Sequence, residues 1–388
     1  MELPTIYNCH IHTFTASHVP DHFPPPWVRG LIYFKPFRMF LIFIAHQFSN
    51  LFALIRILIP ELKLPTTLLS YSSLIRFERF YETGARKTQE GIFNRISLQY
   101  PEKTRFIILP MDMEYMGSGK PSATYRQQLE ELALLRDKYP EAIIPYFAAD
   151  PRRPGLLELF NEFINTRGFK GVKIYPNLGY YPDDPRLMEI YAICEKKKIP
   201  ILAHCSPGGV GLHKASKEQI QAFGHPANYR KVLRAFPKLN FCLAHFGGAE
   251  EWERHLTGTA PREGEDASWL SVISNMIRKE KFTNLFTDVS YTLFCETPSY
   301  RPFTYYDFLK VMLTDETLKK QVLFGSDYYM VEQEKISEKE VSIALRSRLG
   351  EELYFQIAHE NPKRYLYETA DKKPKREKAR SVKKGSKN

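Results

Sequence analysis

Cysteine is scarce in this chain, and its placement excludes a disulfide framework. The 388 residues include five, Cys9, Cys194, Cys205, Cys242 and Cys295. Their number is odd, they are scattered, and none forms a CxxC pair, so reduced thiols in a cytosolic protein are expected. No signal-peptide pattern precedes the first strand-like run, which begins almost at Met1. A phosphate-binding GxxxxGK[ST] loop is missing as well. The Gly-rich "PGGVG" at 207–211 reads instead as a flexible loop beside a site. The apolar run 39–59, "MFLIFIAHQFSNLFALIRILI", is interrupted by His46, Gln47, Ser49, Asn50 and Arg56, which argues against a membrane crossing. The following residues, 61–84, are too polar to provide a return pass.

Charge of one sign is plentiful but localised. The net charge is +11, and the tail 372–388 holds nine Lys/Arg against one Glu, so it carries +8 of that and leaves the body at about +3. A short like-charged run with Pro, Gly and Ser cannot bury a core and reads as a disordered, solubilising tail. No specific nucleic-acid partner is predicted, because the body is nearly balanced.

What the sequence does contain is a repeating alternation. Eight short apolar runs, at 5–12, 105–112, 142–150, 169–176, 199–205, 239–246, 284–290 and 321–327, are separated by stretches with helical periodicity. One of these, 124–139, repeats Leu129, Leu132, Leu135 and Tyr139 at spacings of three and four. Near-continuous apolar strands are covered on both faces, and eight strand–helix units in about 360 residues predict a (β/α)8 TIM barrel. The expected domain is 1–371. Residues 13–84 form a long, apolar, mainly helical insertion after strand 1, too long for a βα loop. That insertion is expected to cover the barrel mouth, to form a homo-oligomer interface, or to lie on a membrane surface through 28–60.

Polar groups end the predicted strands. His10 and His12 end strand 1, Lys173 lies on strand 4, His204 ends strand 5, His245 strand 6 and Asp327 strand 8. Barrel enzymes build their sites at these carboxyl ends. Residues i and i+2 of a strand share a face, so both imidazoles of the HxH can reach one ion while Ile11 faces the helices. Imidazole nitrogen and carboxylate oxygen suit Zn²⁺ and similar divalent metals. Cys9 and Cys205 are expected to face outward as packing thiols. His18 and His22 fall in a loop expected to be exposed. Tyr175, Tyr328 and Tyr329 are candidate pocket walls.

With "YNCHIH", "AADPRRPG", "GVKIYP", "LAHC", "LAHFGG", "TDVS", "LFGSD" and "HENPKRYLY" in place, the chain resembles the amidohydrolase superfamily, in the branch of amidohydrolase-related hydrolases and aminocarboxymuconate-semialdehyde-type decarboxylases. The resemblance implies His10, His12, His204 and Asp327 as metal ligands. It implies His245 as general acid/base or electrostatic partner, with Asp327 also accepting a proton from water. One Zn²⁺ is expected, with a second ion if Lys173 is carboxylated. Otherwise Lys173 binds a substrate carboxylate, or it snorkels out or pairs with a carboxylate such as Asp150. The family usually has Asp where this chain has Asn8, which shifts the tuning around the site.

The implied activity is a metal-dependent hydrolase acting on a C–N or C–O acyl bond of a small molecule, with non-oxidative decarboxylation of a small carboxylic acid as the alternative. A scaffold has no need for so many aligned metal-site groups. A nuclease of the metal-dependent DNase type would need an additional glutamate near strand 4, which is not found. Lys173 and Tyr175 are the expected substrate-binding residues, in a cytoplasmic protein with a peripheral membrane contact through the insertion.

Overall fold

The computed structural model describes residues 4–23, 36, 79–261, 263–264, 266–292, 304–334 and 337–368. Most of the 13–84 insertion, Cys295 and the basic tail therefore lie outside the described residues.

Eight parallel strands follow one another in chain order: β1 (Tyr7–Ile11), β2 (Arg105–Ile108), β3 (Ile143–Ala148), β4 (Gly171–Ile174), β5 (Ile201–Ala203), β6 (Phe241–Leu243), β7 (Leu285–Asp288) and β8 (Val322–Leu323). The first and last also join. Cys9 N–H donates to Phe324 O and Asp327 N–H to His10 O, and Ile11 pairs in parallel with Tyr328. The barrel is thus closed, and the predicted TIM barrel is present with all eight strands inside their expected windows.

Helices follow the strands because the intervening segments carry both a stripe and a cap. The helix after β1 is α1 (Gln89–Ser97), and after β2 comes α2 (Tyr125–Lys138). Thr124 caps α2 in a reciprocal box with Gln127, which satisfies backbone donors that would otherwise be orphaned. Leu129, Leu132 and Leu135 are its buried stripe. Further round lie α3 (Leu156–Thr166), α4 (Pro185–Lys197), α5 (Tyr229–Ala235), α6 (Ala249–Thr257), α7 (Trp269–Arg278), α8 (Tyr305–Met312) and α9 (Glu338–Leu349). No described helix is long and apolar enough to cross a membrane.

Strand alternation divides the apolar residues into two cores. Phe106, Ile108, Val172, Ile174, Ile201, Leu243 and Val322 pack outward against the helices. Cys9, Ile107, Tyr146, Leu202, Cys242, Phe286 and Leu323 fill the barrel. Lys173, between Val172 and Ile174, therefore faces in.

Candidate metal centre

Two of the site's residues reach the mouth only because the strands break alternation. The β1 register slips between Asn8 and Ile11, and a bulge puts two consecutive residues on one face. Cys9 consequently belongs to the inner cluster with Cys242 and Leu323, and His10 faces inward beside it. This corrects the expectation that Cys9 faces out. Ile11 does pack into the helix layer, as does Cys205. On β6, Ala244 joins the inner cluster, so a continuing strand would turn His245 outward. Instead His245 and Phe246 adopt φ of 65° and 43°, and Asp327 takes φ of 68°. Such left-handed backbone costs about 1–3 kcal/mol per residue and persists where neighbours over-determine it.

The centre is formed by three atoms. His10 Nε2 lies 3.3 Å and His12 Nε2 3.2 Å from Asp327 Oδ1, with all three residues buried. His12 Nδ1 lies 2.8 Å from the Leu109 carbonyl, and His10 Nδ1 3.0 Å from Asp288 Oδ2. A neutral imidazole has one N–H, and in both rings those acceptors place it on Nδ1. Burial, reinforced by the charge of Lys173, pushes the His10 pKa down to about 3, so His10 carries no second proton. The two Nε2 atoms and a carboxylate oxygen, each able to ligate a metal, thus converge on one point. A cation among them would be held by all three. The donor set suits Zn²⁺ or a similar divalent ion.

The remaining predicted residues surround this group. His245 Nε2 is 2.9 Å from His204 Nδ1, and His204 Nε2 is 3.0 Å from Gly208 O. Both ring nitrogens of His204 thus face other partners, and His204 stands beside the three-atom group rather than in it. Tyr175 stacks on His204 and accepts the Val210 N–H at 3.0 Å. Lys173 is buried, with Nζ 3.5 Å from His10 Nε2, and burial pushes its pKa down to about 8. It does not snorkel out. Nor does it pair with Asp150, which is bound by the Arg152 guanidinium. Among the described residues Lys173 makes no ion pair.

A cavity of about 430 Å³ opens onto His12, His204, His245 and Asp327, with apolar walls that include Phe14, Phe23, Met111, Tyr175 and Met330. The 207–210 loop lines it. Tyr328 and Tyr329 do not, contrary to expectation: both are buried in the outer core, where Tyr329 Oη donates to Phe14 O. Lys173 instead borders a separate, water-sized space of about 10 Å³ with Asp112 and Asp150. His18 is buried rather than exposed. It accepts the Thr15 N–H, and burial lowers its pKa to about 4.

Sequence reasoning missed Asp288 and Ser290. Asp288 ends β7 and accepts from His10 Nδ1, the His245 N–H, and the Ser290 N–H and hydroxyl. Burial alone would raise its pKa, but His10 and these donors hold it well below the usual carboxylate range. The strand-end rule that found Asp327 would have found it within "TDVS". Asn8 brackets the site from behind, accepting the Ser326 N–H and donating to Ser326 Oγ.

Comparison with known proteins fits this geometry. Among solved structures, an uncharacterized TIM-barrel protein from Bordetella bronchiseptica is similar at 16% identity and a TM-score of 0.52, over 93% of this chain and 98% of that one. A probable 2-pyrone-4,6-dicarboxylic acid hydrolase from Acinetobacter baumannii, with citric acid bound, matches at 11% identity and 0.51, over 93% and 98%. The 5-carboxyvanillate decarboxylase of Sphingomonas paucimobilis matches at 13% and 0.50, over 94% and 99%. At these identities the likeness shows the fold. No curated protein sequence matches. The amidohydrolase family model matches residues 116–367, more than half of the 388. Together with the closed barrel and the groups at its carboxyl end, that match means that the chain belongs to the amidohydrolase family.

Proposed function

We propose that the protein is a metal-dependent hydrolase acting on a C–N or C–O acyl bond of an uncharged small molecule. His10, His12 and Asp327 would hold one divalent ion, Zn²⁺ by preference, with His204 adjacent. Bound there, the ion supplies Lewis acidity and lowers the pKa of a coordinated water. Asp327 is the carboxylate of this group that lines the cavity, and it accepts the proton of the attacking water. His245 stands across the site and returns a proton to the leaving group. Tyr175 and the 207–210 loop hold the acyl portion beside them and exclude water. The catalytic unit in this reading is residues 1–371.

The observation that carries the reading is the cavity wall. It is mainly apolar, and among the described residues no lysine or arginine lines it. A neutral ester, lactone or amide fits such a wall, whereas a free carboxylate lying against it, away from the metal, would be desolvated without a cationic side chain to pair with. The decarboxylase reading rests on a different observation, the buried amine of Lys173, which makes no ion pair among the described residues. Zn²⁺-loaded protein should be offered matched pairs, aromatic esters and anilides against the corresponding hydroxybenzoic acids. Acid release from the neutral members supports the hydrolase, while CO₂ release from the acids with inert esters overturns it.

A further inference from the structure

Asp288 is the most connected carboxylate of the site, although it does not belong to the His10–His12–Asp327 group. Its two oxygens serve different strands. Oδ2 lies 3.0 Å from His10 Nδ1 on β1. Oδ1 accepts the backbone N–H of His245, after β6, at 2.9 Å, and that of Ser290 at 3.0 Å. Ser290 Oγ donates to Oδ1 and lies 2.9 Å from His245 Nδ1 and 3.1 Å from His10 Nδ1. Asp288 and Ser290 are fully buried, so water does not share these bonds.

We propose that Asp288 is the positioning residue of the centre, with Ser290 as its extension. It does two things that the fold otherwise leaves open. By accepting from Nδ1 it fixes His10 as the tautomer with a bare Nε2, the nitrogen that points at Asp327. By accepting the His245 N–H it anchors the left-handed turn at φ 65°, which brings that imidazole back to the mouth after Ala244. One carboxylate thereby sets the direction of a metal-facing lone pair and the position of the histidine across from it. Histidine ligands are commonly oriented by such a carboxylate, and losing one typically costs 10- to 100-fold in metal affinity.

The inference rests on the metal-centre reading, and the test separates the two. In metal-free, ¹⁵N-histidine-labelled wild type, His10 should show a protonated Nδ1 and a bare Nε2. A protonated Nε2 overturns the inference, and this measurement needs neither a metal nor a variant that folds. The second arm measures Zn²⁺ affinity by chelator competition in wild type and in Asp288→Asn, with circular dichroism confirming that the fold is intact. A loss of 10-fold or more at unchanged secondary structure is expected, with Asp288→Glu recovering part of it. Affinity within twofold of wild type in Asp288→Asn overturns the inference. Wild type that binds no Zn²⁺ would remove the metal reading itself, and the tautomer arm would still decide for or against Asp288.

Discussion

Tyr175 lies flat on His204, with ring centroids 4.0 Å apart and planes within 8°. The stack is closed by Gly209, which has a φ of +90°, and whose missing Cβ would come within 2.4 Å of Tyr175 Oη and 3.0 Å of His204 Cε1. Gly209→Ala should therefore displace both rings and strain the loop, costing about 1–3 kcal/mol. Tyr175→Phe keeps the stack and removes only the acceptor for Val210 N–H, so it should cost about 1 kcal/mol. Thermal denaturation of the two variants checks the order. Equal melting temperatures would contradict it.

Metal should stabilise the folded protein, because the three converging acceptors exist only there. At 100-fold excess over its Kd, one ion adds about 2.7 kcal/mol. Calorimetry with and without Zn²⁺ should show the rise in wild type, and His10→Ala/His12→Ala should show none.

The cavity wall makes a specificity prediction. Met330 lines it, and Met330→Arg places a cation where none is described. The variant should gain affinity for benzoate and lose affinity for methyl benzoate, each by about tenfold, equivalent to ~1.4 kcal/mol. Titration calorimetry with the two compounds measures both.

Stability should carry a pH signature from Glu338. This carboxyl is buried at the start of α9 and accepts from Tyr100 Oη at 2.8 Å. Burial raises its pKa from 4.5 to about 7. The folded state then holds the proton more tightly than the unfolded chain. Its contribution is full below pH 4.5 and is lost as pH rises through about 7, to a limit of roughly 3 kcal/mol. Glu338→Gln stays neutral at every pH, so it should lose less stability than wild type between pH 5 and 8. Parallel denaturation curves at the two pH values would refute this.

Gly325 sits beneath His10, where a Cβ would come within 2.8 Å of His10 Cβ. Gly325→Ala should push His10 out of line with Asp327 and weaken Zn²⁺ binding by about tenfold or more, as loss of an orienting contact does. Chelator competition measures the change.

The sequence by itself determined the barrel and the list of groups at its mouth. Eight apolar runs with helical stretches between them leave few other ways to bury both faces of every strand, and a polar residue ending such a run must sit at the carboxyl rim. His10, His12, His204, His245, Lys173 and Asp327 were legible for that reason. Facing direction was legible only while alternation held, as at Ile11 and Lys173. The tertiary structure decided the rest. The β1 bulge turned Cys9 inward beside His10, and the left-handed turn after β6 brought His245 back to the mouth. Burial of His18 also depended on packing that has no local signal. Most of all, Asp288 and His10 are 278 residues apart. Only closure of the barrel sets that carboxylate against that imidazole, and a hydrogen bond between strands leaves no period or spacing in a single chain.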